Sequence, residues 1–410
     1  MSWSENTIFW HVYPLRFVNA EATATTTVTH RLPRLANWFD HLLSLGANGL
    51  LMAPIFASES HGYDTIDHYR IDPRLGDGDD FDNLVANARS RGIHIVLDGV
   101  FNHLGHTHPI VQRALAGGPN SEDGQWIKWS GEYPYGFEGN VNLIELNLAN
   151  PVVADYVADV MIHWLDRGID GWRLDAAYSA GPDAWRPIVE KVKAAHPDAW
   201  LLGEVLHGDY SDFVARSGID SLTQYELWKA IWSSINDGNF YELAWALERN
   251  QEFSEHFIPN TFISNHDVTR IASKLTNAKT LPQAIALLLL LPGIPSIYAG
   301  DERAFTGEKT EGRFGDDAVR PPFPDTPEGL LPFGMDTFEL YQRLISIRRL
   351  HPWLTRAKVT VGVLTNETMT IELSSGDQKL TLALNNTDKA VNLPGSHNQL
   401  GVAPRGWALG

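Results

Sequence analysis

Apolar residues in this chain alternate between two spacings, and the alternation starts at once. Ile8-Phe9-Trp10-His11-Val12-Tyr13 is a β-rich run. Leu35, Trp38, Phe39, Leu42 and Leu43 then follow helical spacing, closed by Gly46. Gly49 to Pro54 reads as a buried strand, 81–90 as a helix and Ile93 to Asp98 as the next strand. Helical spacing resumes behind Asn150 as N-cap and Pro151, with Val153, Val157, Val160, Met161, Trp164 and Leu165 on one face. Strands are expected at 171–175, 200–205, 219–223, 261–265 and 294–299, with helical sequence at 183–195, 227–250 and 284–291 between them. Near-continuous apolar strands, each followed by helical sequence, predict a parallel (β/α)8 TIM barrel. A doubly wound open sheet is the competing fold, but no Gly-x-Gly-x-x-Gly follows any of these strands.

Two stretches break the rhythm. Residues 104–142 are rich in Gly, Pro and His and hold one candidate helix, 109–116, so they read as a short inserted subdomain after the third strand. Beyond a helix at 337–350 the period becomes two, in Thr368 to Leu373 and Lys379 to Leu384 around a Ser374-Ser375-Gly376-Asp377 turn. The expected organisation is a barrel from 1–103 and 143–352, the insertion at 104–142 and an antiparallel β domain at 353–410.

Composition narrows the partners. A net charge of −18 sets nucleic acid aside, since nothing would release counterions from a phosphate backbone. With no Cys there is neither a disulfide nor a thiolate nucleophile. The first residues carry no basic region followed by an apolar one, and the most apolar run, Ala284 to Leu291, is too short to span a bilayer. The expectation is a cytoplasmic protein without a membrane segment and without a separate N-terminal module. Oligomeric state is not set by these residues.

The chemistry gathers at strand ends. Arg173 and Asp175 are two apart and share one face of a strand. Asp98 with Asn102 and His103, Glu204, and His266 with Asp267 also fall at C-terminal strand ends, where barrel active sites are assembled. Asp98 alone reads first as a carboxylate that caps the following loop. Asp175, Glu204 and Asp267 converging on one mouth are harder to treat so, because like charges at a shared site raise pKa values and destabilise the fold. Carboxylates without a Ser-His pair or a His-x-x-x-His spacing suggest acetal cleavage, in which one carboxyl protonates the leaving oxygen and another attacks or activates water. A neighbouring cation keeps the attacking carboxylate ionised.

Four motifs occur in order, each after an expected strand: Asp98-Gly-Val-Phe-Asn-His103, Gly171-Trp-Arg-Leu-Asp-Ala-Ala177, Gly203-Glu-Val-Leu-His207 and Phe262-Ile-Ser-Asn-His-Asp267. His61-Gly-Tyr-Asp-Thr-Ile-Asp67, Ile71-Asp-Pro73 and Gly293-Ile-Pro-Ser-Ile-Tyr-Ala-Gly-Asp-Glu302 accompany them. With these the chain resembles the α-amylase family of glycoside hydrolases, and Leu143-Ile-Glu-Leu-Asn147 resembles a motif of its neopullulanase and cyclomaltodextrinase branch. The resemblance implies that Asp175 is the nucleophile, Glu204 the general acid and then base, and Asp267 the group that holds hydroxyls of the distorted sugar. It implies that Arg173 orients Asp175, that His103 and His266 bind hydroxyls of the same ring, and that Tyr63 stacks on it. His207 joins the substrate-binding set with its motif, as do Asp316 and Arg320, with Asp64 expected to pair across to Arg320. Carboxyls about 5 to 5.5 Å apart and retention of configuration would follow.

The implied substrates are maltooligosaccharides, cyclodextrins or starch, cleaved at α-1,4 bonds. A glucanotransferase or trehalose synthase on the same scaffold is the alternative, and a non-catalytic relative the less favoured one. No cofactor is required by this chemistry; calcium is an open expectation resting on Asn102. The chain also departs from the family. Tyr178 and Ser179 stand where secreted α-amylases carry Lys and His, and Leu206 stands where the branch has an aromatic.

Overall fold

The computed structural model describes residues 2–312 and 315–410. The apolar runs form parallel strands β1 (Phe9–Val12), β2 (Gly49–Met52), β3 (His94–Gly99), β4 (Gly171–Leu174), β5 (Trp200–Gly203), β6 (Ser221–Leu222), β7 (Asn260–Thr261) and β8 (Ile294–Tyr298). Their order is β6-β5-β4-β3-β2-β1-β8-β7, and a parallel bridge between Thr223 and Asn260 joins the ends. The sheet is therefore the expected (β/α)8 barrel, not the open alternative. Among the described residues no helix is long and apolar enough to cross a membrane.

Alternate residues on the strands separate into two apolar groups. Trp10, Leu50, Leu97, Trp172, Leu201 and Ile297 join the large core under the helices. Phe9, Leu51, Val96, Trp200, Leu202 and Ile294 pack with one another as a layer inside the barrel. Two residues further along, that inner face carries His11, Asp98 and Glu204, and on β4 it carries Arg173 followed by Asp175. An ionic layer thus sits directly on an apolar one, at the C-terminal end. Gly171 permits this at β4, because a Cβ there would lie 2.2 Å from the Trp200 carbonyl oxygen.

The connections differ from the expected ones in informative ways. After β2 an antiparallel hairpin, Phe56–Ser58 with Thr65–Ile71, presents the 59–64 loop. Arg74 anchors it from below, donating to Asp72 (2.8 Å) and to the Ser58 hydroxyl (2.8 Å). The insertion is zipped at its ends by His103–Gly105 against Leu143–Glu145. It holds the helix Pro109–Gly117 and, near its close, the turn Phe137–Gly139. The helices expected near 227–250 are Tyr225–Asp237 and Phe240–Ser254, parted at Gly238 in the left-handed region. At the C-terminus, β9 (Lys358–Leu364), β10 (Thr368–Ser375), β11 (Gln378–Asn385) and β12 (Gly406–Leu409) make one antiparallel sheet. Asp301 and Glu302 of the last motif serve the frame: Arg270 donates to Asp301 (2.8 Å), and His41 pairs with Glu302 (3.0 Å).

Candidate active site

Arg173 is the centre of the ionic layer. Register places it opposite Asp98, and its Nη1 donates to Asp98 Oδ2 (2.7 Å) and Asp175 Oδ1 (2.9 Å). Its Nη2 lies 2.6 Å from Glu204 Oε1. One guanidinium therefore holds three buried carboxyls, and Asp98 is a member of the site, not a loop cap. Glu204 is held further by the Ala176 amide (2.9 Å on Oε2) and by the Tyr225 hydroxyl, which donates to Oε1 (3.1 Å). Ala176 adopts the left-handed conformation (φ 46°), an uncommon one for a residue with a side chain, and this turn aims its N–H at Glu204.

Asp267 is fixed from the other side. Arg320 donates to its Oδ1 (2.8 Å) and to the His266 carbonyl (2.8 Å), while the same guanidinium pairs with Asp316 (3.0 Å). Arg320 is thus committed to Asp267 and Asp316. Asp64 accepts instead from Ser60 (2.5 Å) and stands 3.8 Å from His61, so the expected Asp64–Arg320 pair is replaced by local partners on each side. The Asp267 amide donates to Asn265 Oδ1 (2.9 Å), and Asn265 donates to the Tyr225 hydroxyl (2.8 Å). A continuous chain of hydrogen bonds then links Asp267 through Asn265 and Tyr225 to Glu204.

Two cavities meet over these groups. One, of about 1040 Å³, is lined by His61, Asp64, Asp316 and Arg320 among others. The second, of about 670 Å³, is lined by His103, Asp175, Tyr178, Glu204, Tyr225 and Trp228 among others. Tyr63, Leu143 and Asp267 line both, so the two are lobes of one cleft with Asp267 at the junction. The Tyr63 hydroxyl donates to Asp98 (3.1 Å) and contacts His266. Among the described residues His103 Nε2 has no hydrogen-bond partner, and it faces Asp175 Oδ2 at 3.9 Å. His266 is fully buried beneath the cleft wall. His207 is exposed and lies outside the linings of both lobes, whereas its neighbour Leu206 is part of the second; the chain turns outward between them.

Burial dominates the titration of the site. It lifts Asp98, Asp175 and Glu204 above the ordinary carboxyl range, Asp175 to about 6 and Glu204 to about 7, with Arg173 drawing each back. Burial also lowers His103 to about 4 and His266 well below the usual imidazole range, so both rings are neutral near pH 7.

Asn102 offers a buried Oδ1 without a partner among the described residues, an atom a hard cation would use. Calcium takes roughly six to eight oxygen ligands. Among the described residues, the one group of three carboxylate or imidazole ligands within common reach is His30, Asp77 and Asp80. No step below uses a calcium ion.

Sequence reasoning missed Tyr225, Asn265 and the Phe137-Glu138 turn. Asn265 lies inside a quoted motif, and Tyr225 follows the C-terminal end of β6, the level at which the other strands deliver their polar groups. That level was the available signal. Phe137 stacks on the His103 ring (centroids 4.6 Å apart), a contact between insertion and barrel that no spacing announces.

A barrel whose mouth carries this carboxyl cluster has the layout of a glycoside hydrolase. Residues 11–323 match the family described as alpha amylase, catalytic domain, and the chain belongs to that family. It is 30% identical over 349 residues to the maltogenic alpha-amylase of Bacillus acidopullulyticus, an alignment covering 76% of this chain and 58% of that protein. It is 26% identical over 426 aligned positions to a cyclomaltodextrinase of Geobacillus thermopakistaniensis, covering 96% and 71%. The chain thus spans less than two thirds of the first relative's length. Among solved structures it resembles the cyclic alpha-maltosyl-(1→6)-maltose hydrolase of Arthrobacter globiformis in complex with maltose, with a TM-score of 0.86, 25% identity and coverage of 100% of this chain and 99% of that one.

Proposed function

We propose that this chain is a retaining α-glucan hydrolase cleaving α-1,4-glucosidic bonds of maltooligosaccharides or cyclodextrins. The observation that carries this is Arg173 joining Asp98, Asp175 and Glu204 at the meeting point of two lobes, with Asp267 held separately by Arg320. Asp175 Oδ1 is tied to Arg173, which leaves Oδ2, beside His103, as the attacking atom. Glu204 protonates the glycosidic oxygen as the Asp175 ester forms, then takes a proton from the water that opens it. Asp267 receives hydroxyls of the ring at the junction, and neutral His103 donates a hydrogen bond there without adding charge. Asp175 and Glu204 both line the second lobe and Asp267 lies at the junction, so the ring that is attacked sits at the junction, with the retained chain running into the first lobe toward Asp316 and Arg320 and the leaving sugar running outward along the second.

A second reading, transglycosylation, is favoured by one feature. Phe137, Tyr178, Tyr225 and Trp228 make an aromatic wall on the leaving side, a surface that holds a sugar acceptor better than it holds water. The resembling hydrolase named for an α-1,6-linked cyclic maltosyl-maltose keeps that linkage within the test as well. Incubation with maltotriose, cyclodextrin, pullulan and isomaltose, with product mapping, separates these. Glucose and maltose from maltotriose support hydrolysis, and longer products support transfer. Asp175→Asn and Glu204→Gln should each lower kcat by about a thousandfold or more with the fold intact. Near-normal turnover by either variant would defeat the assignment.

A further inference from the structure

The turn Phe137–Gly139 carries a feature that the mechanism above leaves unused. Glu138 stands in the left-handed region (φ 51°, ψ 31°), which an L side chain adopts at a cost. Its Oε1 accepts a 2.7 Å hydrogen bond from the Tyr178 hydroxyl. Tyr178 sits in the short helix Ala177–Ala180 immediately after Asp175. The bond therefore bridges the insertion to the segment that follows the nucleophile.

Both side chains line the second lobe, beside Phe137; Tyr178 is half-buried and Glu138 is exposed to the cleft mouth. Among the described residues no Lys, Arg or His pairs with Glu138, and Tyr178 is its one hydrogen-bond donor. The lobe's two lysines are engaged elsewhere, Lys229 with Glu242 (2.6 Å) and Lys309 with Asp316 (3.3 Å), so a carboxylate held this way keeps acceptor capacity directed at the cleft. It lies on the side of Glu204 where the leaving sugar must sit.

We propose that Glu138 and Tyr178 form the hydroxyl-binding pair of the leaving-group subsite, Glu138 accepting hydrogen bonds from adjacent hydroxyls of the first glucosyl unit beyond the scissile bond. The pair does here what a cationic side chain could not do, since it selects a leaving group with donors to offer. It also sets the acceptor in a transfer reaction, because the same subsite is refilled by the incoming sugar. This inference rests on the roles given to Asp175 and Glu204 above.

The test compares maltotriose with 4-nitrophenyl α-maltoside, whose aryl leaving group has no hydroxyl donors. Glu138→Gln, close to isosteric, and Tyr178→Phe should each lower the ratio of kcat/KM for maltotriose to that for the aryl maltoside by about tenfold or more, the scale of a lost charge-assisted hydrogen bond. Transfer products from maltotriose should fall in parallel. Glu138→Asp, which keeps the charge and shortens its reach, should give a smaller fall in the ratio. Tyr133→Ser, in the same insertion but exposed on the surface, should leave the ratio unchanged and so controls for loosening of the insertion. A proportional fall on both substrates, or an unmoved ratio, overturns the proposal. A wild-type protein that turns over neither substrate refutes the hydrolase reading itself, a distinct result.

Discussion

Tyr225→Phe removes one oxygen and tests how the acid is tuned. In its ionised form Glu204 collects hydrogen bonds from the Ala176 amide (2.9 Å) and the Tyr225 hydroxyl (3.1 Å) besides the contact with Arg173 Nη2 (2.6 Å). Each of these favours the carboxylate and opposes the burial that lifts Glu204 to about 7. A hydrogen bond to a charged group contributes about 1.5 kcal/mol at the low end of its range, and the Tyr225 bond is the longer of the two hydrogen bonds, so the low end is appropriate. At about 1.4 kcal/mol per tenfold in proton affinity, its loss raises the pKa of Glu204 by about one pH unit. Glu204 must be protonated to start catalysis, so the alkaline limb of the kcat/KM profile moves up by about that amount. Phenylalanine also leaves the buried Asn265 amide without its acceptor, which costs about 1 to 3 kcal/mol of stability. The assay is kcat/KM for an aryl α-maltoside across about pH 5 to 9 with melting curves at each end. An alkaline limb that stays put or moves down refutes the reasoning, even if Tm falls, because Tyr225 would then be a strut and nothing more.

Arg173→Met should lower stability by about 3 to 5 kcal/mol near pH 7, since it leaves Asp98, Asp175 and Glu204 buried without a counter-charge, and the loss should shrink at acid pH where they protonate. Urea unfolding at two pH values checks it, and equal losses at both would count against a shared cation. Folding raises Glu204 from an ordinary 4.5 to about 7, so the folded protein holds that proton more tightly than the unfolded chain. The stability this adds is complete below about pH 4.5 and is lost as pH rises through about 7. Wild type should therefore lose Tm relative to Glu204→Gln across that window, and parallel Tm curves for the two proteins would show that Glu204 is not the group responsible.

Most of the barrel could be read from the chain because its strands are buried on both faces and therefore stand out as apolar runs between amphipathic helices. Where the reading slipped, the ladder itself is short. The expected 219–223 strand keeps only Ser221–Leu222, and the expected 261–265 strand keeps only Thr261 and begins one residue earlier, because the residues beyond turn away to deliver Tyr225 and Asn265 to the mouth. The C-terminal hairpin was legible, and the strand before it carries the same signal in Val359, Val361 and Val363. Charge identity was legible as well, but partnership was not. The two-residue step put Arg173 and Asp175 on one face; only the β3–β4 register put Asp98 opposite Arg173. That difference turns an apparent loop cap into a third carboxyl on one guanidinium.

The division of labour within the cleft follows from where each residue is carried. Asp98, Arg173, Asp175 and Glu204 extend the inward faces of β3, β4 and β5, so the pleat alone aligns them above the apolar layer of Phe9, Leu51, Val96, Trp200, Leu202 and Ile294. Residues on such a frame move little, which suits groups whose separation decides the chemistry. Glu138, Tyr178, Asp316 and Arg320 lie on the insertion and the loops, where length and sequence vary without disturbing the ladder. The carboxyl cluster is therefore written into strand parity, while the groups that line the outer parts of the cleft are written into loops whose partners depend on tertiary contact. His207 shows the boundary between the two. It lies three residues beyond Glu204, past the end of β5, and the backbone has already turned it to solvent. A motif continued past its strand keeps its spelling but not its direction, so carrying a role onto a residue is sound only while the strand still determines which way that residue faces.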